Sequence, residues 1–209
     1  MPTPSASDAL LKRYSTVSII LHWTIATLLV TNVVVGINID SFKGLAKFSI
    51  LQWHKSIGVT VLILTLLRFA WRLVNKPPPY PAHMPAWEKA AAHLTHWAFY
   101  FLLLGIPLTG WVMVSASPLS IPTLLYKTIP WPHIGLVHGL PMAERKSLEH
   151  LFGFIHENLA RATVVLIILH VLAALRHQFR SRDEVLWRMI PLPFLKPAPV
   201  PAPKLGKEV

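Results

Sequence analysis

HENLARATVVLIILHVLAALRHQF, residues 156–179, joins a long apolar run to two histidines and a basic end. From Ile155 to Leu175 the only charged residues are Glu157 and Arg161, both near the start. A helix that crosses the apolar core of a membrane needs about 20 such residues. His156 and His170 stand fourteen positions apart. At 100° per residue that spacing returns to within about 40° of the starting face, and the rise covers about 21 Å. One helix therefore offers two imidazoles on one face, one near each end of a span.

Three other runs resemble it. Residues 17–36, VSIILHWTIATLLVTNVVVG, contain no charge. Lys12 and Arg13 precede them, as in a signal peptide, but the run is too long for one. No small-x-small cleavage site follows before Asn38 and Asp40, so it reads as an uncleaved first span. Residues 53–74 form the second, ended by Asn75-Lys76-Pro77-Pro78-Pro79, because consecutive prolines cannot continue a helix. Residues 90–114 form the third, where Pro107 between Gly105 and Gly110 predicts a kink. Prolines 118, 122, 130 and 132 predict a long loop after it, with a short helix near 143–151. The fourth span covers residues 155–175. No internal repeat is visible. The fold class is an all-α integral membrane protein, a four-transmembrane-helix bundle in one domain over residues 1–194. A Pro-rich tail, 195–209, follows and is expected to be unpacked.

Composition agrees. The 209 residues are 53% apolar and 14% charged, against about 25% charged in a soluble domain, and the mean hydropathy is +0.49. The 20 Lys and Arg against 9 Asp and Glu would suggest nucleic acid on a soluble protein. On so apolar a chain they mark the basic flanks of spans, and no nucleic-acid partner is expected. With no cysteine, disulfides, thiolate zinc sites, iron–sulfur clusters and covalent C-x-x-C-H haem are excluded. With the N-terminus inside, Lys12, Arg13, Arg68, Arg72, Lys76, Lys89, Arg176, Arg180, Arg182 and Arg188 lie on the inner side. Lys43, Lys47, Lys55, Lys127, Arg145 and Lys146 lie on the outer side, so both termini are expected in the cytoplasm.

Four histidines lie inside or at the rim of spans: His22, His54, His156 and His170. The first span enters from inside, which puts His22 level with His170. The second enters from outside, which puts His54 level with His156. Two imidazole pairs stacked across the bilayer suit two six-coordinate b-type haems. Zinc would need three or four ligands converging in one place, which these depths forbid. Taken singly, each histidine reads equally well as an interfacial polar residue; the paired depths favour haem. His93 and His96, at the inner end of the third span, read first as rim residues, with propionate or quinone contact as alternatives. His150 and His177 are the substitutes for His156 and His170, and each would put iron outside the apolar slab. Arg68, fourteen residues after His54, shares its face at the inner end. It is a candidate partner for a haem propionate, or equally a positive-inside anchor. Trp23, Trp53 and Trp71 fit haem packing and an interfacial aromatic belt alike.

The ordered set YSTVSIILHWTIA (14–26), LQWHKSIGVTVLILTLLRFAWR (51–72), HLTHWAFYFLLLGIPLTGWVMVSA (93–116) and HENLARATVVLIILHVLAALRHQF (156–179), followed by DEVLWRMIP (183–191), resembles the bacterial cytochrome b561 family. The likeness covers about residues 10–194. It implies a four-helix membrane bundle with two b haems, ligated by His22 with His170 and by His54 with His156. Some members are similar to superoxide oxidase, which would take an electron from superoxide outside and reduce ubiquinone in the inner membrane. The architecture also resembles the cytochrome b subunits of nickel–iron hydrogenases and formate dehydrogenases. The tail and the length of the outer loop fall outside the pattern.

Three functions follow as expectations. The first is a superoxide:ubiquinone oxidoreductase, whose outer cations draw in a small anion. Bis-histidine haem with no open position suits outer-sphere transfer. The second is a carrier subunit that links a dehydrogenase or hydrogenase partner to the quinone pool. The third, remote, is a haem-free transporter, for which four short spans leave little room. The expected surroundings are membrane lipid and quinone.

Overall fold

Four long helices carry the four apolar runs in the computed structural model, which describes residues 13–81, 84–181 and 185–191. They are α1 (Thr16–Asn38), α2 (Gly44–Val74), α3 (Ala86–Ala116) and α4 (Met142–Arg176). Each is long and apolar enough to cross a membrane. In hydrocarbon every backbone N–H and C=O must be paired within the chain, and a helix does this segment by segment. Ser15 caps α1 by accepting from the Ser18 N–H at 3.3 Å. Its hydroxyl also accepts from the Trp71 indole at 3.0 Å, which ties the start of α1 to the end of α2. α3 and α4 begin directly after Pro85 and Pro141, where a missing N–H costs nothing.

Two helices run past the apolar windows. α2 starts at Gly44 rather than near residue 53, and the short helix expected at 143–151 is the beginning of α4. Hydropathy marks depth in the membrane, not helix length; Glu144, Arg145, Lys146 and Glu149 keep the first turns of α4 out of the apolar count. α3 stays helical through Pro107. The tail expected at 195–209 lies outside the described residues, as do Lys12 and Arg182.

The closest packing is α3 against α4, then α1 against α2 and α2 against α3. Ile25, Val61 and Leu103 form the buried centre, with Leu28, Leu29, Ile57, Leu64 and Phe99 around it. All of these belong to α1, α2 and α3. Along its whole length α4 buries only Arg145 and Thr163. It leans on α3 and stands off from α1 and α2.

The α3–α4 connection contains a hairpin where only a loop was expected. β1 (Thr123–Leu125) pairs antiparallel with β2 (Ile129–Trp131), Thr123 opposite Trp131 and Leu125 opposite Ile129. In the three-residue turn, Tyr126–Thr128, Tyr126 and Lys127 have φ of 51° and 63°. Hairpin turns usually place Gly or Asn at such left-handed positions; a left-handed non-glycine residue costs about 1–2 kcal/mol. Helix α2 offsets that cost. Gln52 Nε2 donates to the Pro122 carbonyl at 2.8 Å, and its Oε1 accepts from Leu124 N–H at 3.0 Å. Ser56 Oγ accepts from Tyr126 N–H at 2.8 Å. Gln52 and Ser56 are 1% and 0% exposed, one helical turn apart on the face that meets the hairpin.

Beyond the hairpin, the Trp111 indole donates to the Pro132 carbonyl at 2.8 Å, and Ser115 Oγ accepts from Ile134 N–H at 2.9 Å. Arg145 completes this end. Its guanidinium donates to the carbonyls of Ala116 and Ser117 and to Ser120 Oγ, capping the last turn of α3 from the first turn of α4. A cation there satisfies orphan carbonyls and complements the helix dipole. Arg145→Met should therefore lower stability by about 2–3 kcal/mol, since it strips charged donors from buried acceptors. The exposed neighbour change Lys146→Met should stay within about 0.5 kcal/mol. Thermal unfolding of both variants in detergent checks the difference.

Candidate cofactor site

The chain direction alternates through the bundle, so His22 near the start of α1 and His170 near the end of α4 share one end. Their ring centres are 6.2 Å apart with planes at 70°. His54 on α2 and His156 early in α4 meet at the other end, also 6.2 Å apart, with planes at 75°. Each pair joins α4 to a helix against which it has no extensive backbone packing. The imidazoles thus face each other across the space that α4 leaves by standing off.

The spacing is that of two ligands on opposite sides of one metal. An imidazole nitrogen sits about 2.0–2.1 Å from a bound divalent metal, so two in line stand about 4 Å apart and their ring centres about 6 Å apart. Among the described residues no three His, Cys, Asp or Glu side chains cluster to hold a metal alone. A cofactor that brings its own equatorial ligands fits such pairs, and haem is that kind of group.

Glycines clear the way at the hairpin end. A methyl group added at Gly36 would meet His54 Cε1 at 3.0 Å, and one at Gly110 would meet His156 Cε1 at 3.0 Å and Nδ1 at 3.2 Å. Each glycine lets a neighbouring helix approach an imidazole edge. The His156 Nδ1 donates to the Ile106 carbonyl at 2.8 Å, with Thr109 Oγ1 at 3.4 Å. A carbonyl only accepts, so the proton is on Nδ1 and the lone pair of Nε2 is left for a metal. His54 Nδ1 is buried near the Asn32 backbone without a hydrogen bond of good geometry. A cavity of about 100 Å³ lies between the two rings, lined also by Asn32, Lys55, Thr123 and Trp131.

At the other end aromatic edges hold the rings. Trp23 stands 5.4 Å from His22, and Phe99 5.4 Å from His170. His96 also approaches His170, at 6.3 Å, so it belongs to this cluster and is more than a rim residue. His93 is turned away, accepting the Trp97 indole N–H at 2.9 Å. Arg68 is part-buried at this end and donates from Nη1 to the Ser18 carbonyl at 2.5 Å. Its guanidinium also meets the Tyr100 hydroxyl and lies within electrostatic reach of His22.

Of the substitutes, His150 is exposed and His177 lies beside Glu88 at 3.9 Å. A second histidine contact, missed in the sequence, joins His133 to His138 in the loop after the hairpin, with Nδ1 atoms 3.3 Å apart. His138 Nδ1 also lies 3.2 Å from the Ser115 carbonyl, so it carries the proton and His133 Nδ1 accepts. Burial, then His138, Lys55 and Arg145, hold His133 below the ordinary histidine range.

A family profile described as prokaryotic cytochrome b561 matches residues 13–192. Cytochrome b561 homolog 2 of Escherichia coli K12 is 27% identical over 183 residues, covering 86% of this chain and 92% of that protein. The probable superoxide oxidase CybB of Yersinia pestis is 29% identical over 186 residues, covering 86% and 97%. Cytochrome b561 homolog 1 of Escherichia coli K12 is 27% identical over 183 residues, covering 87% and 98%. With nearly the whole described length matched and four apolar helices present, the chain belongs to the prokaryotic cytochrome b561 family of haem-binding membrane electron-transfer proteins.

Proposed function

We propose that this chain holds two b-type haems, one between His22 and His170 and one between His54 and His156, and passes single electrons across the inner membrane from superoxide to ubiquinone. The observation that carries the proposal is the repetition of one geometry: two imidazole pairs, each 6.2 Å between ring centres, at opposite ends of one bundle. Bound there, each haem would supply one-electron redox chemistry. The superoxide part rests on the similarity to the probable superoxide oxidase and on the basic hairpin end. The ubiquinone part and the inner-membrane orientation rest on the family resemblance and the loop charges.

The protein's own share is orientation and exclusion. Ile106 fixes the ring and tautomer of His156, while Gly36 and Gly110 leave room at the imidazole edges. Ligands held this way need no rearrangement when an electron arrives. Thr123 and Trp131 of the hairpin line the cavity at the His54–His156 end. Lys43, Lys127 and Lys146 are exposed at that end and give it a positive field. Arg145 does not add an exposed charge, because it caps α3, and Lys47 is engaged with Asp40 at 2.7 Å. The attracting set is thus smaller than the sequence suggested.

Two haems per chain are expected by pyridine haemochrome assay of the purified protein. His22→Ala should give the optical and redox losses of His170→Ala, and His54→Ala those of His156→Ala; a match of His22→Ala with His156→Ala would overturn the pairing.

The glycine contacts lead to a second expectation. Gly110→Ala should lower the haem content by about half or more at the hairpin end, since the added methyl presses on His156. Gly105→Ala, whose methyl would meet only Leu159 Cδ1 at 3.4 Å, should keep both haems. Haem counts on the two variants compare them directly.

Superoxide capture should fall with rising salt, because exposed charges are screened beyond about 8–10 Å. Lys127→Glu with Lys146→Glu should slow it further. Stopped-flow haem reduction by pulsed superoxide measures both. No reduction at any salt would remove the superoxide reading and leave a carrier subunit served by a dehydrogenase or hydrogenase partner.

A further inference from the structure

The hairpin-end cavity holds donors that nothing among the described residues uses. Trp131 lines it, and the Trp131 indole Nε1 is buried without a hydrogen-bond partner. An indole N–H can only donate, and a buried donor without an acceptor is rare in a folded protein. Lys55 lines the same cavity, half-buried, on the residue after His54. Among the described residues no carboxylate pairs with it: Asp40, Glu157 and Glu88 form their ion pairs elsewhere. Asn32 adds an amide whose Oδ1 is also buried without a partner; turning that amide over would present its NH₂ instead. The rest of the lining is mainly apolar.

A cation and a lone N–H donor in an apolar recess make a receptor for one anion. A carboxylate at this depth is costly unless it is paired and hydrogen-bonded. We propose that Lys55 and Trp131 bind a carboxylate in this cavity, and that the carboxylate is a propionate of the haem held between His54 and His156. This rests on the reading of that pair as haem ligands. Haem has two anionic groups and both are carboxylates, so a pocket that takes haem must answer them.

The hairpin's construction fits the same purpose. Trp131 sits at the end of β2, opposite Thr123, which also lines the cavity. Gln52 and Ser56 bind the first strand and the turn to α2, and the Trp111 indole fixes the Pro132 carbonyl, one residue past Trp131. Lys55 lies on α2 between Gln52 and Ser56. The left-handed turn at Tyr126 and Lys127 is thereby held by the helix that supplies the cation, and the strand after it delivers the indole.

The test uses the holoprotein with haem carrying ¹³C in its propionate carboxyl groups, read by redox-induced infrared difference spectroscopy. A carboxylate band that moves with the label should be present in the unmodified protein. Trp131→Phe and Lys55→Met should each shift a label-sensitive band, and Lys55→Arg should restore it. Lys55→Met alone suffices should Trp131→Phe fail to fold. Unmoved labelled bands in both variants would overturn the proposal. So would a band that responds to the variants and to added formate but not to the label, which would make the occupant a free carboxylate. Full retention of both haem spectra in His54→Ala would instead overturn the ligand assignment beneath it.

Discussion

Helix α4 carries an imidazole near each end of its apolar stretch, and the rest of the bundle is arranged so that this face does not close onto α1 and α2. In water the hydrophobic effect would draw four such helices into full contact. In lipid that force is absent between helices, and shape and polar contacts set their spacing. Here the apolar centre is built from Ile25, Val61 and Leu103 on the other three helices, and α4 rests mainly on α3. Two 6.2 Å imidazole pairs are the result. A helix shifted to bury its apolar face more fully would crowd those rings.

That arrangement has to be held at its ends, because the middle supplies little. At the hairpin end the holding is polar and buried: Gln52, Ser56, Ser115 and Arg145 all donate to or accept from backbone of the α3–α4 connection. At the other end the segment 187–190 crosses the start of α1. Trp23 donates to the Met189 carbonyl at 2.7 Å, Arg13 donates to the Ile190 carbonyl, and Arg188 donates to the Pro79 carbonyl at 2.6 Å. Tyr14, beside this strap, is pushed above the ordinary phenol range by burial and is neutral at physiological pH.

The spans and the histidine pairs were legible in the sequence because both follow from helix arithmetic: apolar length gives depth, and fourteen residues give a shared face. His156 with His54 needed no long-range information beyond alternating direction. The hairpin was hidden because its turn, Tyr126-Lys127-Thr128, carries none of the Asn or Gly that marks such turns, and its prolines read as loop. Gln52 and Ser56 are a polar pair at i and i+4, a usable signal, but nothing in the chain says what they meet. Arg145 looked like one more outer cation, since sequence records charge and not burial. Gly36 and Gly110 stand amid apolar residues where a glycine reads as ordinary membrane packing; only the imidazole edges beside them give them meaning.

The two ends also differ in chemistry, and this bears on direction. Around the His22 pair stand Arg68 and Arg72, with Arg68 bonded to the Ser18 carbonyl and the Arg72 guanidinium 5.8 Å over the Tyr100 ring. A second histidine, His96, approaches His170 there. Around the His54 pair the cation that lines the cavity is the half-buried Lys55; Lys43, Lys127 and Lys146 are exposed to solvent at that end, and Arg145 is committed to helix carbonyls. Positive charge near a redox centre favours its reduced form, by simple Coulomb attraction that is strong where water is excluded. If the His22 pair holds a haem as proposed, the two part-buried arginines would favour an electron there, while His96, a neutral imidazole, would add no charge. The direction proposed for the electron, from the hairpin end toward the end where Arg13 and residues 187–190 meet, agrees with that difference in part-buried charge.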